Sequence, residues 1–305
     1  MKVSIQFQYK DFRNTIFYHL LKQEALSDLV EVSPNEADLI IYGPFARFPK
    51  IVGRFVKRKA KNGPIKIRGR HHQPISVYHT IENTRHNNLF DYSIGYDFSM
   101  RSCDFRFPYW MESINWSHEG VGRSRPLRIS NYFNISDLQA PLGDFYFERN
   151  GKCAAFFGQI NEPRTSLLNV TQSALEVHKY GPAFNQKIRN SQLSGDFKDI
   201  VLSKYSYNLC PENSLYPGYY TEKILESFGS GCLPITWVEN NVSADFNPNA
   251  FINLLNLASS GYSEFPEVLQ NGDVIRAAKD APLLLQSPSI EPLRDFVKKI
   301  VLDCQ

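Results

Sequence analysis

The chain has 305 residues, 42% of them apolar and 21% charged, with 34 Lys and Arg against 31 Asp and Glu. That length exceeds what one ordinary core serves and suits two domains, and the composition is that of a globular protein rather than a disordered or fibrous one. The near balance of charge gives whole-chain electrostatics nothing to say about partners, and no run of 18 apolar residues offers a membrane span.

The start, MKVSIQFQYKDF, is charged and alternating and lacks the apolar stretch of a signal peptide. The expectation is a chain that stays where it is made, cytoplasmic or peripheral at the inner face of a membrane. The five cysteines, Cys103, Cys153, Cys210, Cys232 and Cys304, are scattered and form no CxxC, which reads as reduced core thiols.

In chain order, residues 2–9 alternate as a strand. Residues 12–25 have helical spacing, with Ile16, Phe17, Leu20 and Leu21 on one face. DLIIY at 38–42 is a short buried strand, 49–61 a basic helix, 75–81 a strand and 91–96 another. The segment 112–150, rich in Gly, Ser, Pro and Asn, interrupts the pattern, and its last part is a linker candidate. Alternation then resumes: strand 153–157, helix 163–179, strand 206–210, helix 221–230, strand 233–238, strand 250–257 and an amphipathic helix 291–302. Strands alternating with helices predict parallel, doubly wound α/β sheets. Two such domains are expected, 1–145 and 146–287, with a C-terminal helix at 288–305 for which the first domain is a candidate packing surface. Ligands of such sheets bind outside the carboxyl ends of the strands.

The stretch CPENSLYPGYYTEKILESFGSG, residues 210–231, carries the chemistry. A strand ends near Pro211, Pro217-Gly218 turns the chain, Thr221 is the expected N-cap, and Ile224, Leu225 and Phe228 form a buried helix face. Glu222 and Lys223 fall in the first turn. A lysine there has the wrong sign for the helix dipole and makes sense beside a bound anion. The alternative is structural: Glu222 complements the dipole and Lys223 pairs with Glu226.

These residues resemble the donor-binding signature of glycosyltransferase family 10, the α-1,3/1,4-fucosyltransferases. The match consists of Glu212-Asn213-Ser214, Gly218-Tyr219-Tyr220-Thr221-Glu222-Lys223, Leu233-Pro234-Ile235 and Asp245-Phe246-Asn247-Pro248. Tyr78-His79-Thr80-Ile81-Glu82-Asn83, followed by Leu89 to Asp97, is similar to the acceptor-domain motif of that family. Ala155-Phe156-Phe157 with Arg164 is similar to the start of its donor domain. The likeness covers about residues 75–260.

The resemblance implies a GT-B fold: two Rossmann-like, doubly wound domains facing a central crevice. It further implies inverting, metal-independent transfer of L-fucose from GDP-fucose to a GlcNAc or glucose hydroxyl of a glycan such as a lipopolysaccharide or O-antigen. By position, Arg164 and Lys223 would bind the diphosphate, Asn213 and Tyr219 would line the nucleotide site, and Glu222 would contact the ribose or donor sugar and serve catalysis. Glu82 would deprotonate the acceptor hydroxyl, with Asn83 and Tyr78 beside the acceptor.

The chemistry is consistent with that reading. Breaking a sugar–diphosphate bond leaves charge that something cationic must meet. The chain has no D-x-D pair to hold a metal, and the adjacent His71 and His72 point apart. No cofactor and no metal are expected. Structural alternatives stand beside each role: Glu82 paired with Arg85 or His86, and Arg164 with Glu162. The basic run 54–72 is either a solvated face or a contact for anionic lipid or a phosphorylated glycolipid; without aromatic stacking motifs, nucleic acid is not an expected partner. Ser206, Pro211, Tyr220 and Val238 depart from the common pattern at positions expected near the donor crevice. Another GDP-deoxysugar donor, or a silent nucleotide- or glycan-binding protein, therefore remains as an alternative.

Overall fold

The structure is a computed structural model that describes residues 1–6, 8–25, 28–45, 73–84, 89–98, 101–123, 132–143, 148–184 and 195–305, the side chains of 195–197 excepted. The expected basic helix at 49–61, the basic run 54–72, the His71-His72 pair, and Arg85 and His86 lie outside the described residues. The chain divides into two compact units. One comprises Met1–Tyr109, Trp116–Arg123 and Ser289–Gln305; the other comprises Trp110–Asn115 and Ser124–Pro288.

The first unit is built on a six-stranded sheet of order β2-β1-β3-β4-β5-β6. Its strands are β1 (Lys2–Gln6), β2 (Val30–Glu31), β3 (Leu39–Tyr42), β4 (Ile75–His79), β5 (Tyr92–Gly95) and β6 (Asp104–Arg106). Every pairing is parallel. Strand β3, LIIY, is a continuous apolar run because both its faces are covered, as in doubly wound folds. Helix α1 (Ile16–Glu24) starts at Thr15, whose Oγ1 accepts the Tyr18 N–H at 3.2 Å, and it buries Ile16, Phe17, Leu20 and Leu21. The C-terminal helix α8 (Glu291–Asp303) belongs to this unit and packs on α1. Arg294 fixes the contact by donating to Gln23 Oε1 at 3.0 Å, Glu24 Oε1 at 3.1 Å and the Glu119 carbonyl at 2.7 Å.

The second unit holds a five-stranded parallel sheet of order β11-β10-β9-β7-β8. Its strands are β7 (Cys153–Phe156), β8 (Val177–Tyr180), β9 (Tyr207–Leu209), β10 (Leu233–Thr236) and β11 (Ile252–Asn253). Helices α2 (Ile135–Leu138), α3 (Arg164–Gln172), α4 (Gly195–Leu202), α5 (Lys223–Gly229), α6 (Phe265–Gln270) and α7 (Gly272–Asp280) complete it. Ala154, Val201, Leu202, Tyr205 and Cys232 form a core cluster in which helix α4 meets the sheet. All five cysteines are free, and burial pushes the Cys210 and Cys232 thiols up to about 12.

Several elements differ from the sequence reading. The helix expected over 163–179 stops at Gln172, and Val177–Tyr180 is instead the edge strand β8. Its four residues are all half-buried, so no one-sided apolar stripe marked it as sheet. Strand 250–257 shrinks to two residues, followed by a 3-10 stretch Leu254–Ser260 whose start is capped by Asn253. Ser206, expected near the donor site, sits at the amino end of β9, where its Oγ accepts the Gly151 N–H at 2.9 Å.

Candidate active site

In the second sheet the chain leaves β7 toward β8 on one side and reaches β9 on the other, so the strand order reverses between β7 and β9. The carboxyl ends of two strands flanking such a reversal leave a gap where ligands bind in open α/β sheets. Arg164 follows β7 and the 212–223 loop follows β9. These two segments carry all five residues expected at the donor.

The local fold brings them together. Gly218 takes φ 87°, a conformation a side chain disfavours, and this lets the Tyr219 N–H reach the Tyr216 carbonyl at 3.0 Å. The turn returns the chain to Glu212. Glu212 is fully buried and both its carboxylate oxygens accept hydrogen bonds. Oε1 accepts the Thr221 N–H and hydroxyl, both at 2.8 Å, and Oε2 accepts Lys223 Nζ at 2.6 Å. Lys223 Nζ also donates to Thr221 Oγ1 at 2.5 Å. Among the described residues, two of its three N–H groups are thus engaged, which leaves one for a ligand. Burial works to lower the Lys223 pKa, but Glu212 and then Glu222 overcome it and hold the ammonium above its ordinary range.

Arg164 opens α3. Its Nη1 donates to the Gln159 carbonyl at 3.1 Å, its Nη2 donates to Asn213 Oδ1, and its guanidinium lies 5.3 Å from the Phe157 ring centroid. Its Nε is buried and makes no hydrogen bond. Burial lowers its pKa while Glu212, Tyr219 and Glu222 oppose that shift, which places those three within electrostatic reach. Tyr219 is 4% exposed and Asn213 is exposed. Among the described residues Arg164 makes no ion pair, whereas the charge of Lys223 is matched by Glu212.

Two expectations are corrected. Thr221 is not the N-cap. The helix starts at Lys223, Glu222 occupies the cap position in helical geometry without a side-chain cap bond, and the Thr221 hydroxyl is committed to Glu212. Nor does Lys223 pair with Glu226. Glu226 is buried and bonded to Lys198 of α4, and Lys223 reaches eleven residues back to Glu212. Glu212 is the residue that reading the sequence missed as a participant. Its signal was present: an acid directly past a strand end, in a loop that returns to a lysine.

In the first unit Glu82 stands in the turn after β4 and is half-buried. Thr80 Oγ1 accepts the Glu82 N–H at 3.1 Å and donates to the Glu82 carbonyl at 2.9 Å, while the Thr84 N–H donates to that carbonyl at 2.6 Å. Tyr78 is wholly buried, stacked on Phe90 at 5.3 Å, with its hydroxyl on Thr84 Oγ1 at 2.7 Å. It therefore supports the turn from beneath. Asn83 Oδ1 accepts the Tyr96 hydroxyl at 2.7 Å. His79, on the same strand, is buried against Tyr9 and Phe17, and burial lowers its pKa to about 3, so it stays neutral. Among the described residues, no group of three or more His, Cys, Asp or Glu is arranged to hold a metal ion, and no helix is long and apolar enough to cross a membrane.

The chain is similar in sequence and fold to fucosyltransferases. Residues 150–270 match the family model described as glycosyltransferase family 10 (fucosyltransferase) C-term. The alpha-(1,3)-fucosyltransferase FucT of Helicobacter pylori is 28% identical over 265 residues, covering 80% of this chain and 51% of that protein. The human 4-galactosyl-N-acetylglucosaminide 3-alpha-L-fucosyltransferase 9 is 26% identical over 142 residues, 38% of each chain. The chain thus spans about half the length, or less, of these curated relatives. A crystal structure of an alpha1,3-fucosyltransferase matches with a TM-score of 0.68 and 22% identity, covering 99% of this chain and 90% of that one. A structure of alpha1,3-fucosyltransferase with GDP-fucose matches at 0.66 and 21%. The two parallel α/β sheets are those of this GT-B fold.

Proposed function

We propose that this chain, whose residues 150–270 match the C-terminal domain of glycosyltransferase family 10, is an inverting, metal-independent α-1,3-fucosyltransferase that uses GDP-fucose. The observation that carries the proposal is the cluster at the switch point of the second sheet. There Arg164, on Asn213, and Lys223, on Glu212, converge on one loop. Arg164 brings a planar donor fork suited to phosphate, and Lys223 brings an ammonium held in place by Glu212. The helix behind Lys223 has only seven residues, so the side chains rather than the helix end are the anion-binding groups.

In this reading an acceptor hydroxyl attacks the anomeric carbon from the face opposite the diphosphate. The bond from that carbon to the β-phosphate oxygen breaks, its electron pair stays on GDP, and the configuration inverts. Arg164 and Lys223 meet the charge that develops on the leaving diphosphate. Glu82 of the first unit takes the proton of the acceptor hydroxyl, Asn83 orients the acceptor, and Tyr78 supports the turn that holds both. Tyr219 and Asn213 line the nucleotide, and Glu222 meets the ribose or the sugar. The absence of any D-x-D pair in the sequence supports metal independence.

The likeness to a human relative named for a 4-galactosyl-N-acetylglucosaminide supports an acceptor bearing GlcNAc; the reading extends to glucose and to a glycan such as lipopolysaccharide or O-antigen. The same reading includes peripheral contact with anionic lipid through residues 54–72 and a place on the cytoplasmic side. The test is transfer from GDP-fucose to a 4-galactosyl-N-acetylglucosaminide in the presence of EDTA, with product mass and anomeric configuration read out. An α-linked fucose at an unchanged rate is expected. Transfer lost in EDTA and restored only by added metal would remove metal independence, and absence of transfer from GDP-fucose would point to another GDP-deoxysugar.

A further inference from the structure

Two aromatic side chains near the first unit's candidate base are buried: Phe90, stacked on Tyr78, is 3% exposed, and Tyr96, bonded to Asn83, 3%. Phe98 is 40% exposed. It lies three residues beyond Gly95, the last residue of β5, and therefore at the carboxyl end of a strand that pairs with β4 on one side and β6 on the other. Arg106, the last residue of β6, sets its guanidinium carbon 4.1 Å from the centroid of the Phe98 ring. The guanidinium is tethered in turn, its Nε donating to the Tyr96 carbonyl at 3.2 Å. Tyr96 closes the chain of contacts, since its hydroxyl donates to Asn83 Oδ1, next to Glu82.

An aromatic ring with one face held by a tethered cation is fixed in orientation, and the exposure falls on the rest of the ring. An aromatic face is apolar with a negative quadrupole. The complementary ligand surface is apolar and weakly positive, as is the C–H face of a pyranose, whose hydroxyls project at the edge toward polar groups such as Asn83 and Glu82. From this arrangement we infer that Phe98 is the stacking platform for the acceptor sugar ring, with Arg106 as the positioning residue that sets the tilt of the platform. The inference rests on the transferase reading for the identity of the ligand. It adds a specificity element: acceptors whose ring presents axial hydroxyls on the stacking face will be disfavoured.

The test compares the full chain with Phe98→Ala, Phe98→Tyr and Arg106→Ala, using a 4-galactosyl-N-acetylglucosaminide as the probe. Acceptor KM is measured with GDP-fucose saturating, saturation-transfer NMR reads probe binding without turnover, and GDP titration serves as the donor-side control. The expected result is an acceptor KM about five- to tenfold higher for Phe98→Ala, with GDP affinity unchanged, the Phe98→Tyr variant close to the parent, and Arg106→Ala intermediate. Saturation transfer to the sugar C–H protons should fall in the same order. An unchanged KM and unchanged saturation transfer in Phe98→Ala would overturn the platform while leaving the transferase reading intact. No probe binding by the parent chain would overturn it as well. Probe binding that depends on Phe98 without any fucose transfer would keep the platform and sink the donor assignment instead.

Discussion

Removing the Glu212 carboxylate is the sharpest perturbation of the donor site. Glu212 is fully buried and holds the Thr221 N–H, the Thr221 hydroxyl and the Lys223 ammonium. Glu212→Ala leaves a mostly buried ammonium without its counter-charge, a class of change that costs about 3–5 kcal/mol. For a unit of this size each kcal/mol moves Tm by about 2–4 °C, so a drop of roughly 6–20 °C is expected for the second unit. Glu212→Gln keeps an acceptor for the Thr221 N–H and should cost about 1–3 kcal/mol. The double variant Glu212→Gln/Lys223→Met removes the ion pair as a whole, and should recover most of the stability while losing donor affinity, because neutral replacement of a buried pair is often harmless to folding.

The pH dependence has a definite sign. Lys223 is held above its ordinary pKa, largely by Glu212 against the effect of burial. Its contribution is therefore complete below the unfolded lysine value of about 10.4 and is lost as pH rises through the higher folded value. The stability gap between parent and Glu212→Gln should stay level from neutral pH to about 10 and narrow above it. Urea denaturation of the three variants across that range is the assay. A Glu212→Ala protein within 1 kcal/mol of the parent, about the worth of one ordinary hydrogen bond, would refute the reasoning.

Other outcomes follow from the same geometry. Glu82→Gln should lower kcat at least a hundredfold while GDP still binds with parental affinity; a rate near the parent's would end its role as base. Arg164→Ala should weaken GDP binding by about ten- to a hundredfold, the worth of hydrogen bonds to a charged group, and Arg164→Lys should recover little of it, because an ammonium lacks the rigid planar fork that meets the Gln159 carbonyl, Asn213 and a phosphate in fixed directions. Isothermal titration distinguishes these cases. Neutralising the basic residues of 54–72 should lower co-sedimentation with vesicles rich in anionic lipid; binding indifferent to both lipid charge and these residues would dispose of the membrane contact.

Much of the fold was legible because the central strands are short apolar runs between helical patterns. LIIY at 39–42 and CAAF at 153–156 sit in the middle of parallel sheets and are buried on both faces, so their composition alone marks them. The edge strands β2 and β8 were not legible. Val30–Glu31 is exposed and Val177–Tyr180 half-buried throughout, and neither carries a one-sided pattern. At the site, Arg164, Asn213, Tyr219, Glu222 and Lys223 are expected together only through the family resemblance; in the structure Arg164 follows β7 and the other four lie on the 212–223 segment after β9. Their internal partners were not legible. Spacing along a helix suggested Glu226 for Lys223, whereas the Gly218 turn brings back Glu212, a contact that depends on a loop conformation no periodicity encodes. Phe98 gave no signal either, since an aromatic just past a strand reads as core until its exposure and the guanidinium against it are seen.

The central claim is that the Arg164–Asn213 and Lys223–Glu212 groups form the diphosphate site of a nucleotide sugar. A crystal structure of this chain with GDP tests it most directly. The account predicts phosphate oxygens within hydrogen-bond distance of the Arg164 guanidinium and of Lys223 Nζ, with the Lys223–Glu212 contact intact. GDP ordered elsewhere, with both cations facing only protein or water, would contradict it.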